Sequence, residues 1–387
     1  MSADSVDGLV CSESTNARGR DLNIVDLYAG AGGLSLGFQR AGGRVVLAVE
    51  ADTHAAATYK ANHPQTNVLE TRIDSRWQVE THLYGVASGV QCDLLIGGPP
   101  CQGWSSLGGR GSAERRQQLN SGVEDFVGQA CRLRPPAVVM ENVHGLAVRE
   151  AGKHLRRVEN RLRHVGYSVT TLDVRAADFG VPQLRRRIFV VAVRRDLGIN
   201  YEVQATHDES SWLTVWDAVS DLPVLNAGDR SNKYLKIESQ YQRELRGETV
   251  ELTWHEAPAH SARILDILRA LPNEGASRSD LTTIKLTSGF HNTYCRLWAD
   301  KPAPAVTSSA GRVSSGRNTH PYDDRALTPR EAARLQSFPD SYIWKGDRWH
   351  VYKQIGNAVP PMLAEAIARP LVEQLKDALK TLGVSNG

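Results

Sequence analysis

Chemistry in this 387-residue chain gathers first at Cys101. Gly97 to Ser105 reads GGPPCQGWS, and the apolar run Leu94-Leu95-Ile96 leads into it from Asp93. That run has the length and composition of a buried strand. Pro99 and Pro100 fix φ and cannot donate, so the chain must leave a sheet here in a stiff, extended turn. Cys101 then stands just past the carboxyl end of a strand, the edge where open α/β sheets bind ligands. Most free cysteines are small buried residues. The strand, the two prolines and the glycines behind them favour a nucleophile instead. A carboxylate is expected on the same rim, because Glu141-Asn142-Val143 closes the apolar run Ala137-Val138-Val139-Met140. Arg185 and Arg187 alternate along an extended stretch, which puts both on one side with Arg186 opposite. Two guanidinium groups side by side make a clamp for a phosphate or a base carbonyl.

A second constellation lies near the start. Ile24-Val25-Asp26-Leu27-Tyr28 reads as a strand, Ala29-Gly30-Ala31-Gly32-Gly33 as a turn, and Leu34 to Arg40 as a helix. Strand, glycine-rich turn and helix together form the nucleotide-binding arrangement. The next strand, Arg44 to Val49, ends at Glu50, where an acid can accept from ribose hydroxyls. A nicotinamide dehydrogenase would use the same layout.

These groups need a sheet to hold them. The strands at 24–28, 44–49, 94–96, 137–140 and 167–174 alternate with helical stretches, the signature of an α/β fold with helices on both faces of a Rossmann-like sheet. Residues 103–122 are rich in Gly, Ser, Arg and Gln and read as a mobile active-site loop. From Asp196 the pattern becomes irregular. The expected division is a loose tail at 1–22, a catalytic domain at 23–195, a smaller irregular domain at 196–340, and a segment at 341–387 that returns to the first domain. Thr328-Pro329-Arg330-Glu331 carries a helix start, with an N-cap, a proline at the first position and a capping box.

Composition is that of an ordinary globular chain, with 41% hydrophobic and 23% charged residues. The net charge of +3 is too small to argue for nucleic acid by itself. Arginines crowd 185–195 and follow Cys101 at 110, 115 and 116, which suits a polyanionic substrate. The five cysteines are scattered without a CxxC pair, against a disulfide framework or a zinc site. His255 and His260 lack the one-turn spacing of a helical zinc pair. No apolar run approaches the roughly 20 residues of a membrane span, and residues 1–22 lack a signal-peptide core.

The motifs also resemble those of one family. PPCQGWS is similar to the catalytic motif of the cytosine carbon-5 DNA methyltransferases, and DLYAGAGGLSLGF to their S-adenosylmethionine (AdoMet) motif. ENV at 141–143 resembles their second catalytic motif, and Gln183 to Arg187 their Gln-x-Arg-x-Arg motif. TPREAARLQSFPD resembles their structural ninth motif and QIGNAVPP, from Gln354, their tenth. The resemblance implies a roster of roles. Tyr28 would stack on adenine, the backbone of Ala29, Gly30, Gly32 and Gly33 would wrap the methionine part, and Glu50 would hold the ribose. Asp74, two residues past the family's usual position and so on the same side of a strand, would take the adenine-side acid's place. Pro99, Asn357, Ala358 and Val359 would complete the AdoMet site.

Cys101 would add to carbon 6 of a flipped cytosine, Glu141 would donate to ring nitrogen 3, and Arg185 or Arg187 would hold the base carbonyl. Gln102, Ser105, Arg110 and Arg186 would meet DNA, residues 196–340 would recognise the site, and no metal would be required. The implied protein is cytoplasmic and monomeric, acts on double-stranded DNA in bacteria, and can share its site with a cognate restriction endonuclease. A tRNA-methylating branch of the family tends to carry Phe-Thr where this chain has Trp104-Ser105, which favours DNA. A nicotinamide oxidoreductase would leave PPC, ENV and the arginines idle. A catalytically silent DNA-binding relative would not need Cys101 and Glu141.

Overall fold

The computed structural model describes residues 21–86, 90–100, 113–282, 284, 286 and 292–385, with backbone alone at 84, 86, 113–120 and 382–385. Cys101, Gln102, Ser105 and Arg110 lie outside the described residues, as does the first part of the expected active-site loop.

Among the described residues seven strands form one sheet: β1 (Leu22–Leu27), β2 (Gly43–Glu50), β3 (Asn67–Glu70), β4 (Leu94–Gly97), β5 (Ala137–Val143), β6 (Tyr167–Arg175) and β7 (Arg186–Arg194). Their order is β3-β2-β1-β4-β5-β7-β6. The first five run parallel, and β7 lies antiparallel between β5 and β6. Helices α1 (Gly33–Arg40), α2 (Thr53–Asn62), α3 (Val79–Val86), α4 (Ala113–Leu133), α5 (Gly145–Val148) and α6 (Lys153–His164) fall between the strands. This is the α/β, Rossmann-like class that the alternation implies. The central strands read as unbroken apolar runs because both faces are covered. Ile24, Leu94, Ile96 and Val139 pack on one face with Leu34 and Phe38 of α1. Val25, Leu95 and Val138 pack on the other with Leu83, Phe126, Val158 and Leu162 of α3, α4 and α6.

Strand register sets the rim. Leu27 pairs with Gly97, and Gly97 with Met140. The next residue of each strand therefore emerges at one edge: Tyr28, Gly98 and Glu141. Strand order reverses between β1 and β4, and ligands bind at such a switch point. Residues 113–122, expected as loop, are instead the opening turns of α4.

Beyond β7 the chain carries α7 (Val215–Val219), α8 (Gln240–Arg246), α9 (Ala262–Arg269), α10 (Pro329–Leu335), α11 (Arg348–Asn357) and α12 (Pro361–Ser385). Its core holds buried charge as well as apolar groups. Arg334 lies between Asp221 and Asp340, and Arg325 between Asp323 and Glu331, all buried. Thr328 caps α10 reciprocally with Glu331, behind Pro329. Helix α12 returns to the sheet, where Leu363, Ile367 and Leu371 join the core that holds Leu34 and Phe38. No helix among the described residues is long and apolar enough to cross a membrane.

Candidate active site

A cavity of about 1200 Å³ opens along this rim. The turn after β1 forms its floor. Tyr28 takes a left-handed φ of 59°, uncommon for a residue with a side chain. Ala29 N donates to Val49 O at 3.0 Å, which ties the turn to β2. Glu50 holds both sides of the crossing: Oε2 accepts from Gly30 N at 2.8 Å and Oε1 from Asp52 N at 2.7 Å. Burial pushes its carboxyl up, and the amide bonds pull the other way. Gly33 lies so close to Val359 that an added Cβ would sit 2.3 Å from the Val359 carbonyl oxygen. The 357–359 turn is thereby brought onto the glycine turn.

The opposite wall comes from β4 and β5. Asn142 Nδ2 donates to Pro99 O at 3.2 Å and so joins the end of β5 to the proline turn. Arg187 Nε meets Glu141 Oε1 at 2.8 Å, with each side chain largely buried. The other oxygen, Oε2, faces Gly98, where an added Cβ would stand 3.3 Å away. The wall thus has a carboxylate with one oxygen held by a guanidinium and the other turned toward the segment that leads to Cys101. Pro100, Ser121, Gly122 and Asp125 complete this side.

Comparison with known proteins decides what the cavity belongs to. The C-5 cytosine-specific DNA methylase family matches residues 22–373. The chain belongs to that family. The methylase is 36% identical over 353 residues to Type II methyltransferase M1.HphI of Haemophilus parahaemolyticus, covering 91% of this chain and 87% of that one. It is 34% identical over 377 residues to Type II methyltransferase M.DdeI of Desulfomicrobium norvegicum, covering 90% and 88%. A crystal structure of a putative DNA modification methyltransferase encoded within an E. coli prophage superposes with a TM-score of 0.73 at 28% identity, covering 92% of this chain and 99% of that one. The methylase therefore has DNA cytosine-5-methyltransferase activity, and the family's methyl donor is AdoMet.

Most residues singled out in the sequence line one cavity: Tyr28, Ala29, Gly30, Gly33, Glu50, Asp74, Pro99, Glu141, Arg185, Arg187 and the 357–359 turn. Two readings need correction. Asp74 does not share a strand phase with the family position, because β3 ends at Glu70. Asp74 reaches the cavity from a turn, where its Oδ1 accepts from Arg76 N at 2.8 Å and Trp77 N at 3.1 Å. Arg185 and Arg187 do not form a parallel clamp. Arg185 is 2% exposed. It donates to Val306 O at 3.0 Å, Gly356 O at 3.0 Å and Ala358 O at 2.9 Å. It ties Val306 and the turn at 356–358 to the rim, while Arg187 holds Glu141. Arg186 is exposed and forms a fork with Asp173 at 2.7 and 2.8 Å. His255 and His260 serve as hydrogen-bonding groups. His255 bonds Thr328 Oγ1 and the Pro223 carbonyl, and His260 Nε2 accepts from Ala326 N.

Sequence reasoning passed over Asp26. It is fully buried in β1 and lines the cavity. Its Oδ2 accepts from Ser35 Oγ at 2.6 Å, and Tyr59 donates in turn to Ser35. Its Oδ1 has no hydrogen-bond partner among the described residues. Burial pushes the carboxyl up to about 7, against the pull of the Ser35 hydroxyl. An acid inside an otherwise apolar strand, just before a glycine turn, was the available signal. Tyr28 also has a buried hydroxyl with no hydrogen-bond partner among the described residues. Burial, with the carboxylates of Asp125 and Asp74, pushes that hydroxyl's pKa above its ordinary range. Unpaired polar groups of this kind fit an amino acid with a purine nucleoside attached, because a buried polar atom needs a partner from the ligand.

Proposed function

We propose that the methylase flips a cytosine out of a specific duplex site into this cavity and attacks carbon 6 with Cys101. The observation that carries the reading is the convergence on one rim of the glycine turn with Glu50, the Pro99-Pro100 turn, and the Glu141–Arg187 pair. Flipping is required because carbon 6 cannot be reached inside a stacked duplex. The Cys101 thiolate forms a bond to carbon 6, and the ring's electron pair moves toward carbon 5 and nitrogen 3. Glu141, in its protonated form, would donate to nitrogen 3 and neutralise the charge there, a contribution of about 10²–10⁴-fold in general acid catalysis. Arg187 fixes that carboxyl through Oε1 and lies beside it for the base carbonyl. AdoMet, when bound, supplies the electrophilic methyl group that carbon 5 receives. The carbon 5 proton then leaves to a base, the carbon–sulfur bond breaks, and Cys101 departs as thiolate.

On the cofactor side, Glu50 would hold the ribose, Tyr28 and Asp74 the adenine end, and Asp26 Oδ1 the ammonium of the methionine part. Residues 23–195 with 341–387 would form the catalytic unit and residues 196–340 the recognition unit. The biological setting would be protection of host DNA beside a cognate endonuclease.

Labelled AdoMet offered with duplex DNA and with tRNA tests this. Label should enter DNA, vanish in Cys101→Ser and fall by about 10²-fold or more in Glu141→Gln. Duplex DNA bearing 5-fluorocytosine should be trapped covalently through Cys101. Label confined to tRNA, or no adduct on DNA carrying the right site, rejects the reading.

A further inference from the structure

A second concavity, of about 710 Å³, lies between α4 and α6 and shares no residue with the active-site cavity. It is lined by Cys131 of α4 and by Lys153, Arg156, Arg157, Arg161 and His164 of α6. Helix α6 reads KHLRRVENRLRH, five Lys or Arg against one Glu, an excess of four (5 − 1). The whole chain's excess is three. The rest of the protein is therefore slightly negative, and this helix holds the concentrated positive charge. Arg134 and Arg195 extend it at the far end, through hydrogen bonds to the Val165 and Arg163 carbonyls.

Glu124 pairs with both Arg157 and Arg161 across the groove, and Glu159 pairs with Arg163 along the helix. Among the described residues no carboxylate pairs with Lys153 or Arg156; Arg156 donates to the Ala151 carbonyl. Lys153, Arg156 and Arg157 are exposed. One helix touches both sites. Helix α4 lines the active-site cavity at Asp125 and the groove at Cys131, about 9 Å further along its axis. Lys153 follows the end of β5 after one short connection.

We infer that the α4–α6 groove is a second DNA contact, which binds the phosphate backbone of duplex lying outside the methylated site. The inference rests on duplex DNA being the substrate. A 12-residue helix spans about 18 Å, enough to track several phosphates of one strand. Such a contact carries no sequence information. It raises affinity for long DNA and holds the enzyme on it between sites.

The test uses the full chain and a duplex of about 40 dA·dT pairs, which contains no cytosine to flip. Binding is measured over a range of salt concentrations. Lys153→Gln/Arg157→Gln should flatten the plot of log affinity against log salt by about 1.8, two phosphates at about 0.9 each. Glu124→Gln should do the reverse, tightening binding roughly threefold and steepening the slope, since it frees two arginines. A gain of affinity cannot come from misfolding. Methyl transfer at saturating DNA should stay at the wild-type rate in both variants. Slopes unchanged in both, or a larger effect on tRNA than on duplex, would overturn the inference. Absence of methyl transfer by the wild type would instead strike the proposed function and leave the binding result standing.

Discussion

At Asp26, function and stability pull in opposite directions. Its carboxyl is raised from 3.8 to about 7 in the folded protein, chiefly by burial. Between those values the native state keeps a proton that the unfolded chain releases. Stability from this group therefore falls as pH rises from about 4 to 7 and stays low above 7. Asp26→Asn keeps an acceptor for Ser35 and removes the buried charge. Scanning calorimetry at pH 8 should show a higher Tm for the variant, a gain of up to about 4 kcal/mol, and the difference should close near pH 4. The same variant should bind AdoMet about tenfold more weakly by titration calorimetry, since a charge-assisted hydrogen bond is worth about 1.5–3 kcal/mol. Equal Tm values at pH 8 would mean that the carboxylate is not buried as the structure has it. At this scale the sequence was legible in placement where an acid closes an apolar strand, since Glu141 and Glu50 both line the cavity. It misled at Arg185, because alternation tells which side a residue faces and not how deep it lies.

Elements were readable where apolar runs meet glycine or proline. Strands β1, β4 and β5 show this, as does α10 with its capping box. The start of α4 was not, because 113–122 holds no apolar residue except Leu119 and Ala113 to set a period before Val123. Residues 196–340 were opaque for a related reason. Their core is organised by Arg325, Arg330 and Arg334 with Asp221, Asp323, Glu331 and Asp340, which read in sequence as surface charges. Breaking one such pair leaves a buried charge unanswered, so Arg334→Ala should cost about 3–5 kcal/mol in urea unfolding, while an exposed pair such as Arg194–Asp196 should cost at most about 1. The histidines of this part add a pH signature. His320 Nδ1 accepts from Tyr322 N and Asp323 N, and burial pulls the ring down to about 4. His63, against Gln39 and Tyr342, is held down to about 4 by burial as well. The unfolded chain protonates these rings below about 6.5 and the native state does not, so their contribution to stability should decline as pH falls from 6.5 to 4, against the opposite trend from Asp26. His320→Gln should flatten that decline. A His320→Gln variant with the same change of urea midpoint across this window as the wild type would contradict the buried, neutral ring of His320.

The whole molecule depends on bringing its two ends together. The first strand's turn and the last helices are far apart in sequence, yet Gly33 meets Val359 and α1 packs on α12. Arg185 secures the join. Its guanidinium, on the segment entering β7, donates to carbonyls at 306, 356 and 358, and Gln183 beside it donates to the Leu335 carbonyl. Removing the guanidinium takes a donor from the buried Val306 and Gly356 carbonyls, at about 1–3 kcal/mol each, while the Ala358 carbonyl keeps Gln336 Nε2. The 357–359 turn would loosen, and that turn is a wall of the cofactor site. Arg185→Met should therefore lower the Tm and raise the KM for AdoMet, with DNA affinity near wild type. A residue that gripped the base carbonyl would behave differently: kcat would fall, while Tm and the KM for AdoMet would hold. Measuring the three quantities on one variant separates an arginine that builds the site from one that touches the substrate. Arg187→Met provides the contrast, since Arg187 is bonded to Glu141 and should lose kcat by more than it loses stability.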